Sequence, residues 1–124
     1  MKINQINVGV LAYIGDAVYE LEIRDKLIKM KILNTNKLQK TAVNYVSAKN
    51  QALFLEKLIK SKLLTKNELY TINRAKNYKT NSKPKYTDII TYHKATALEA
   101  LYGMLYLENQ KERIKIITNF IVGE

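Results

Sequence analysis

Apolar residues recur at helical spacing along almost the whole chain. Ile6, Val10, Ile14, Val18, Leu21 and Leu27 follow one another without an intervening proline, and predict a long helix over residues 6–30 with Asn7 as its cap. LNTN at 33–36 reads as a loop, with Thr35 or Asn36 starting a short helix through about residue 44. Ser47 is the next cap candidate, and Ala48, Leu53, Leu55, Leu58, Ile59 and Leu63 mark a further helix. Thr65-Lys66-Asn67-Glu68 then fits the capping box, a Ser/Thr followed three residues later by Glu, and starts a helix toward Ala75. NYKTNSKPKYT at 77–87 holds the only proline and almost no aliphatic residue, so it is a polar loop. A helix from about Thr87 or Thr91 to Leu107 and a final amphipathic helix over about 109–122, before Gly123, complete the chain. No segment alternates with a period of two and none repeats. The expectation is an all-α fold, a single domain over residues 1–124 with its helices around one core.

The first helix contains an anomaly. VLAYIGDAVYEL, residues 10–21, places Gly15-Asp16 in the middle of an apolar run. Glycine costs roughly 1 kcal/mol relative to alanine in a helix interior, and aspartate competes for nearby backbone groups. At about 100° per residue Ala12, Asp16, Glu20 and Ile23 share a stripe. Asp16 has several possible fates on that stripe: simple exposure to solvent, capping of a neighbouring helix, or use in a hydrogen-bonded or cation-binding site. ATALEALYGMLYL, residues 95–107, repeats the theme, because Glu99 is the only acid between Ile89 and Leu107 and Gly103 lies one turn away. Glycine permits close backbone approach, and two carboxylates brought together repel unless a cation joins them or one is protonated. Magnesium suits such hard oxygen ligands and supports phosphodiester hydrolysis by activating water and offsetting charge on phosphate.

Charge adds a partner class. The net charge is +10, but residues 26–87 hold fifteen Lys/Arg against Glu56 and Glu68, whereas the remainder holds six basic and nine acidic residues. The positive charge is regional, which suits salt-sensitive binding of a polyanion, or else lysines that only solubilise helices. Arg74, Lys76, Lys79, Lys83 and Lys85 form a series with no acid from Asn73 to Thr87, and suit phosphate contacts better than base reading. The chain has no cysteine and one histidine, which excludes disulfides, thiolate chemistry and a multi-histidine metal site within one chain. No apolar run has spanning length and the N-terminus lacks a secretory signal, so a soluble, cytoplasmic protein with no membrane partner is expected.

Other candidates carry less. A lone histidine beside Lys94 is more often a surface residue than a general base, and this applies to His93. Glu20 orients a metal-bound water or faces solvent. Asp88 suits an N-terminal cap of the following helix. Tyr102 and Tyr106, one turn apart among aliphatics, read as core or interface.

YIGDAVYE at 13–20 together with ATALEALYGMLYL at 95–107 resembles the two catalytic signatures of the ribonuclease III endonuclease domain. YVSAKNQALFL at 45–55 and RAKNYKTNSKPKYTD at 74–88 are similar to segments of its Mini-ribonuclease III subgroup, which lacks a double-stranded-RNA-binding domain, so the resemblance covers nearly the whole chain. It implies a helical homodimer that uses Mg²⁺ to hydrolyse double-stranded RNA. It further implies trimming of precursor 23S ribosomal RNA, and leaves open a ribosomal-protein helper. Asp16 and Glu99 match the catalytic, metal-binding acids of the two signatures. The larger relatives carry two further acids, at positions occupied here by Ala12 and Thr96. That departure fits the Mini subgroup and implies one firmly held Mg²⁺ completed by water, Thr96 or Glu20. Without the extra domain, the basic middle of the chain becomes the RNA surface. The competing readings are a non-catalytic RNA-binding or ribosome-assembly module of the same fold, and a helical interaction protein whose lysines only solubilise it.

Overall fold

The computed structural model describes residues 2–78 and 88–123, and within them every regular element is helical. A short 3₁₀ turn at Ile3–Gln5 precedes helix α1, Val8–Lys29, whose first turn is closed by Gly9 N–H donating to Asn7 Oδ1 at 2.7 Å. Helix α2, Thr35–Val46, starts at Thr35, one of the two expected residues, and is capped by Asn34 through Lys37 N–H at 3.1 Å. Ser47 then caps helix α3, Ala48–Ser61, as expected. Lys62 adopts a left-handed conformation with φ 61° and ends α3, which leaves Leu63 outside the helix the spacing had included it in.

Helix α4, Lys66–Lys76, begins with the predicted capping box: Glu68 N–H donates to Thr65 Oγ1 and Thr65 N–H to Glu68 Oε1. Glu68 is 1 % exposed, and Arg113 of the last helix closes on its other face with two charge-assisted bonds of 2.6 and 2.8 Å. Helix α5, Ile89–Leu107, is capped by Asp88 through Thr91 N–H at 2.8 Å, so the helix starts between the two predicted points. The last helix, α6, covers Lys111–Val122 and ends at Gly123 with φ 87°, a conformation glycine adopts without strain.

Helix α5 is the axis of the bundle and packs against α1, α3, α4 and α6. Its residues from Ala100 to Leu105 are buried without interruption, as expected of a helix enclosed on all sides. Leu11, Ile23, Leu55, Leu58 and Ile117 fill the space around it. Polar atoms in this core are paired: Tyr102 and Thr118 share a 2.7 Å hydrogen bond, and Tyr19, edge-on to Tyr102, donates to the Tyr45 carbonyl at 2.6 Å. Tyr106 instead stands at the surface. Helix α1 is apolar on two sides. Leu11, Val18, Ile23 and Leu27 enter the core, while Val10, Ala17, Leu21 and Ile28 form an exposed stripe along its far face. Among the described residues no helix is long and apolar enough to cross a membrane.

Candidate active site

The site is built on a crossing that only glycine permits. A Cβ added to Gly15 would lie 1.6 Å from the Glu99 carbonyl oxygen, and one added to Gly103 would lie 1.9 Å from that of Leu11. Each glycine therefore lets one helix backbone rest on the other, twice in succession along the α1–α5 crossing. Asp16 and Glu99 sit at this crossing and line one cleft of about 660 Å³. The two glycine-flanked acids therefore meet, as their pattern in the sequence led one to expect.

The two carboxyl groups are hydrogen-bonded to each other. Glu99 is half-buried, and burial first, then the Asp16 charge and the bond to Asp16, push its carboxyl up to about 8. At neutral pH the repulsion between the two is thus relieved by a proton on Glu99, which donates to Asp16. Gln51, buried on α3, acts against that rise and favours the charged form.

The cleft is open and mixed in character. Gly9, Ala12, Tyr13 and Ala17 of α1, with Tyr78, Tyr92, His93 and Thr96, complete its wall. The Thr96 hydroxyl donates to the Tyr92 carbonyl at 2.9 Å and leaves its oxygen lone pairs available. Glu20 stands on the rim, paired with Arg24 at 2.6 Å. His93 faces the cleft against Tyr92, and its buried Nδ1 has no hydrogen-bond partner. Among the described residues no group of three or more His, Asp or Glu side chains is placed to hold a metal. The donor set still fits Mg²⁺, which tolerates one or two carboxylates when water and substrate oxygens fill its octahedron.

The basic series divides. Arg74 is turned into the fold: its guanidinium donates to the Ile6 carbonyl at 2.6 Å and lies 5.9 Å over the Tyr70 ring. Lys76 stands in the last turn of α4 and adds a small share to the positive field around Glu56, which pairs with Lys94. Lys79, Lys83 and Lys85 fall outside the described residues, although Tyr78 just before them lines the cleft.

The ribonuclease III domain family matches residues 9–110, a span that contains both glycines and both acids. The chain belongs to the ribonuclease III family. It is 39% identical over 118 residues to the Mini-ribonuclease 3 of Enterococcus faecalis, covering 95% of this chain and 89% of that one. It is 45% identical over 111 residues to the Mini-ribonuclease 3 of Brevibacillus brevis, covering 90% and 81%. A crystal structure of a protein from Fusobacterium nucleatum superposes with a TM-score of 0.87 at 34% identity, covering all of both chains. As a ribonuclease III protein, the chain is an endoribonuclease, a hydrolase of RNA phosphodiester bonds.

Within this ribonuclease III fold, two neighbours of the acids are not evident from sequence. Gln51 shares its helix face with Leu55 and Leu58, and a polar residue on an apolar seam is the available signal. His93 carries no such signal, because nothing in its sequence neighbourhood separates a cleft residue from a surface one.

Proposed function

We propose that this ribonuclease III-family protein cleaves double-stranded RNA as a Mg²⁺-dependent homodimer, and that its substrate is the precursor of 23S ribosomal RNA. One observation carries the catalytic part: two carboxyl groups brought together at a glycine crossing, where they line a cleft of about 660 Å³. Asp16 and Glu99 would hold the cation, Glu99 having given up its proton. A bound Mg²⁺ supplies an activated water and offsets the charge that develops on phosphate. Thr96 and Glu20 accept hydrogen bonds from water in the cleft, and the closely packed backbones at Gly15 and Gly103 fix both acids in position.

Affinity falls to the surface around the cleft. Lys76, Lys79, Lys83 and Lys85 contact phosphates and help to set site preference, since A-form RNA is recognised by shape and backbone contacts, whereas Arg74 of the same series is held by the Ile6 carbonyl. The exposed stripe of α1 supports the dimer. Val10 is 54%, Leu21 64% and Ile28 48% exposed, and Tyr13, 83% exposed, joins this face to the cleft wall. A second copy docked on the stripe would bury these residues and bring two clefts under one duplex. The 23S assignment and a cytoplasmic setting rest on the resemblance to the Mini-ribonuclease III subgroup. A ribosomal-protein helper is compatible with the same setting.

The test is incubation of a long RNA duplex with purified protein, with and without Mg²⁺, beside Asp16→Asn and Glu99→Gln variants. Cutting that requires Mg²⁺ and is lost in both variants is expected. Gel-shift binding without cutting would instead favour a non-catalytic RNA-binding module.

A further inference from the structure

The cleft that holds Asp16 and Glu99 is short of donors for an anionic RNA backbone. Asp16, Glu20 and Glu99 bring carboxyl groups to its wall, and the Thr96 hydroxyl commits its proton to the Tyr92 carbonyl. No Lys or Arg lines it among the described residues, and His93 is the one described lining residue with a side-chain nitrogen. On α5 His93 precedes Thr96 by three residues and Glu99 by six, so its ring stands roughly 9 Å along the helix from the acid.

The surroundings of the ring set which nitrogen serves the cleft. Two buried side-chain nitrogens lack a hydrogen-bond partner among the described residues, Arg74 Nη1 and His93 Nδ1. Arg74 is anchored through its Nη2, which donates to the Ile6 carbonyl at 2.6 Å. His93 has no such anchor: its ring lies against that of Tyr92, centroids 5.8 Å apart, with Nδ1 turned inward. A buried N–H without an acceptor is the costlier arrangement, as the rarity of orphaned buried backbone N–H groups shows. The ring proton is therefore assigned to Nε2 and the bare nitrogen to the interior. Even so, an unpaired buried nitrogen costs stability that an apolar ring of the same shape would not.

We propose that His93 is a substrate-binding residue of the cleft: its Nε2–H donates a hydrogen bond to a non-bridging phosphate oxygen of the RNA strand seated beside Asp16 and Glu99. A donor to an anionic oxygen makes one of the stronger hydrogen bonds. It also supplies, on the wall itself, what three carboxyl groups and an acceptor hydroxyl do not.

This rests on the reading of Asp16 and Glu99 as the place where RNA is cut. The experiment uses the full chain with His93→Phe, which keeps a ring against Tyr92 and removes both nitrogens. Beside it stands His93→Gln, whose amide carries an N–H to about the position of Nε2. Cleavage of a long RNA duplex at saturating Mg²⁺ gives kcat/KM, and urea unfolding gives stability. In His93→Phe kcat/KM should fall by roughly 10- to 100-fold, the worth of a hydrogen bond to a charged group. Its stability should equal or exceed that of the wild type, because the unpaired buried nitrogen is gone. His93→Gln should recover most of the lost activity, and the Mg²⁺ needed for half-maximal cleavage should not move in either variant. Wild-type kcat/KM in His93→Phe would overturn the proposal, as would equal losses in both variants or a shifted Mg²⁺ requirement. A loss of stability in step with activity, up to failure of His93→Phe to fold, would make the residue structural and overturn it too. Wild-type protein that leaves the duplex intact, or Asp16→Asn and Glu99→Gln variants that still cut, would sink the reading of the site itself, and both are visible without either His93 variant.

Discussion

Gly15→Ala isolates the contact on which the site depends. On an isolated helix the substitution should stabilise α1 by about 1 kcal/mol. In the fold the new methyl would sit 1.6 Å from the Glu99 carbonyl oxygen, 2.6 Å from its carbonyl carbon and 2.8 Å from the Gly103 nitrogen. Non-bonded atoms rest about 3.5–4.0 Å apart, so α1 and α5 must separate by roughly 2 Å. All three atoms struck are backbone, and no rotamer change relieves the overlap. Overpacking in a core typically costs about 1–3 kcal/mol. Here it also parts the faces that bury Leu11, Leu98 and Tyr102, so a net loss of about 3 kcal/mol or more is expected. Urea unfolding at one fixed protein concentration measures it. Cleavage should fall further than stability, because the displaced backbone carries Glu99. A Gly15→Ala protein as stable as wild type, or more stable, would refute the close-crossing argument.

Arg113→Met should cost about 3–5 kcal/mol in the same assay, because it leaves the Glu68 carboxylate buried without its cation; a loss under about 1 kcal/mol would show the pair to be dispensable. Metal-free stability should depend on pH through Glu99. Its folded-state pKa, about 8, lies above the ordinary 4.5, so the native state keeps a proton that the unfolded chain has released. Stability should therefore fall as pH rises from about 4.5 to about 8 and level off above that, by a few kcal/mol. Subtracting the Glu99→Gln profile isolates this slope, and identical profiles would contradict it. Replacing Lys76, Lys79, Lys83 and Lys85 with neutral residues should weaken RNA binding and reduce its salt dependence by about one unit of log–log slope for each phosphate no longer neutralised. Unchanged cleavage with an unchanged salt slope would remove the series from the RNA surface.

Much of this architecture follows from local pattern, and the exceptions have physical causes. The caps at Asn7, Ser47, Thr65 and Asp88 were readable because capping is a short-range bond between a side chain and a nearby N–H. The end of α3 was not, since Lys62 enters the left-handed region without glycine's signature. The apolar pattern of α1 marked a helix but could not separate its core face from its exposed stripe, as both are built from valine, leucine and isoleucine. For the site, glycine beside acid in two helices was a legible clue that backbones approach closely. Which backbone atoms meet depends on the crossing itself. Arg74 looked like a free cation because sequence shows its charge, whereas its bond to the Ile6 carbonyl spans the fold. Gln51 stayed hidden for a similar reason: the acid it acts on belongs to another helix.

The central claim is that Asp16 and Glu99 form one cation site that exchanges a proton for a metal ion. Calorimetric titration of the RNA-free protein with Mn²⁺, repeated in two buffers of different ionisation enthalpy, measures the protons released per ion bound. With the Glu99 carboxyl near 8, release should be about 0.9 proton at pH 7 and about 0.1 at pH 9. Binding should be lost in Asp16→Asn and in Glu99→Gln. Metal binding with no proton release at pH 7, or binding that survives both substitutions, would contradict the claim.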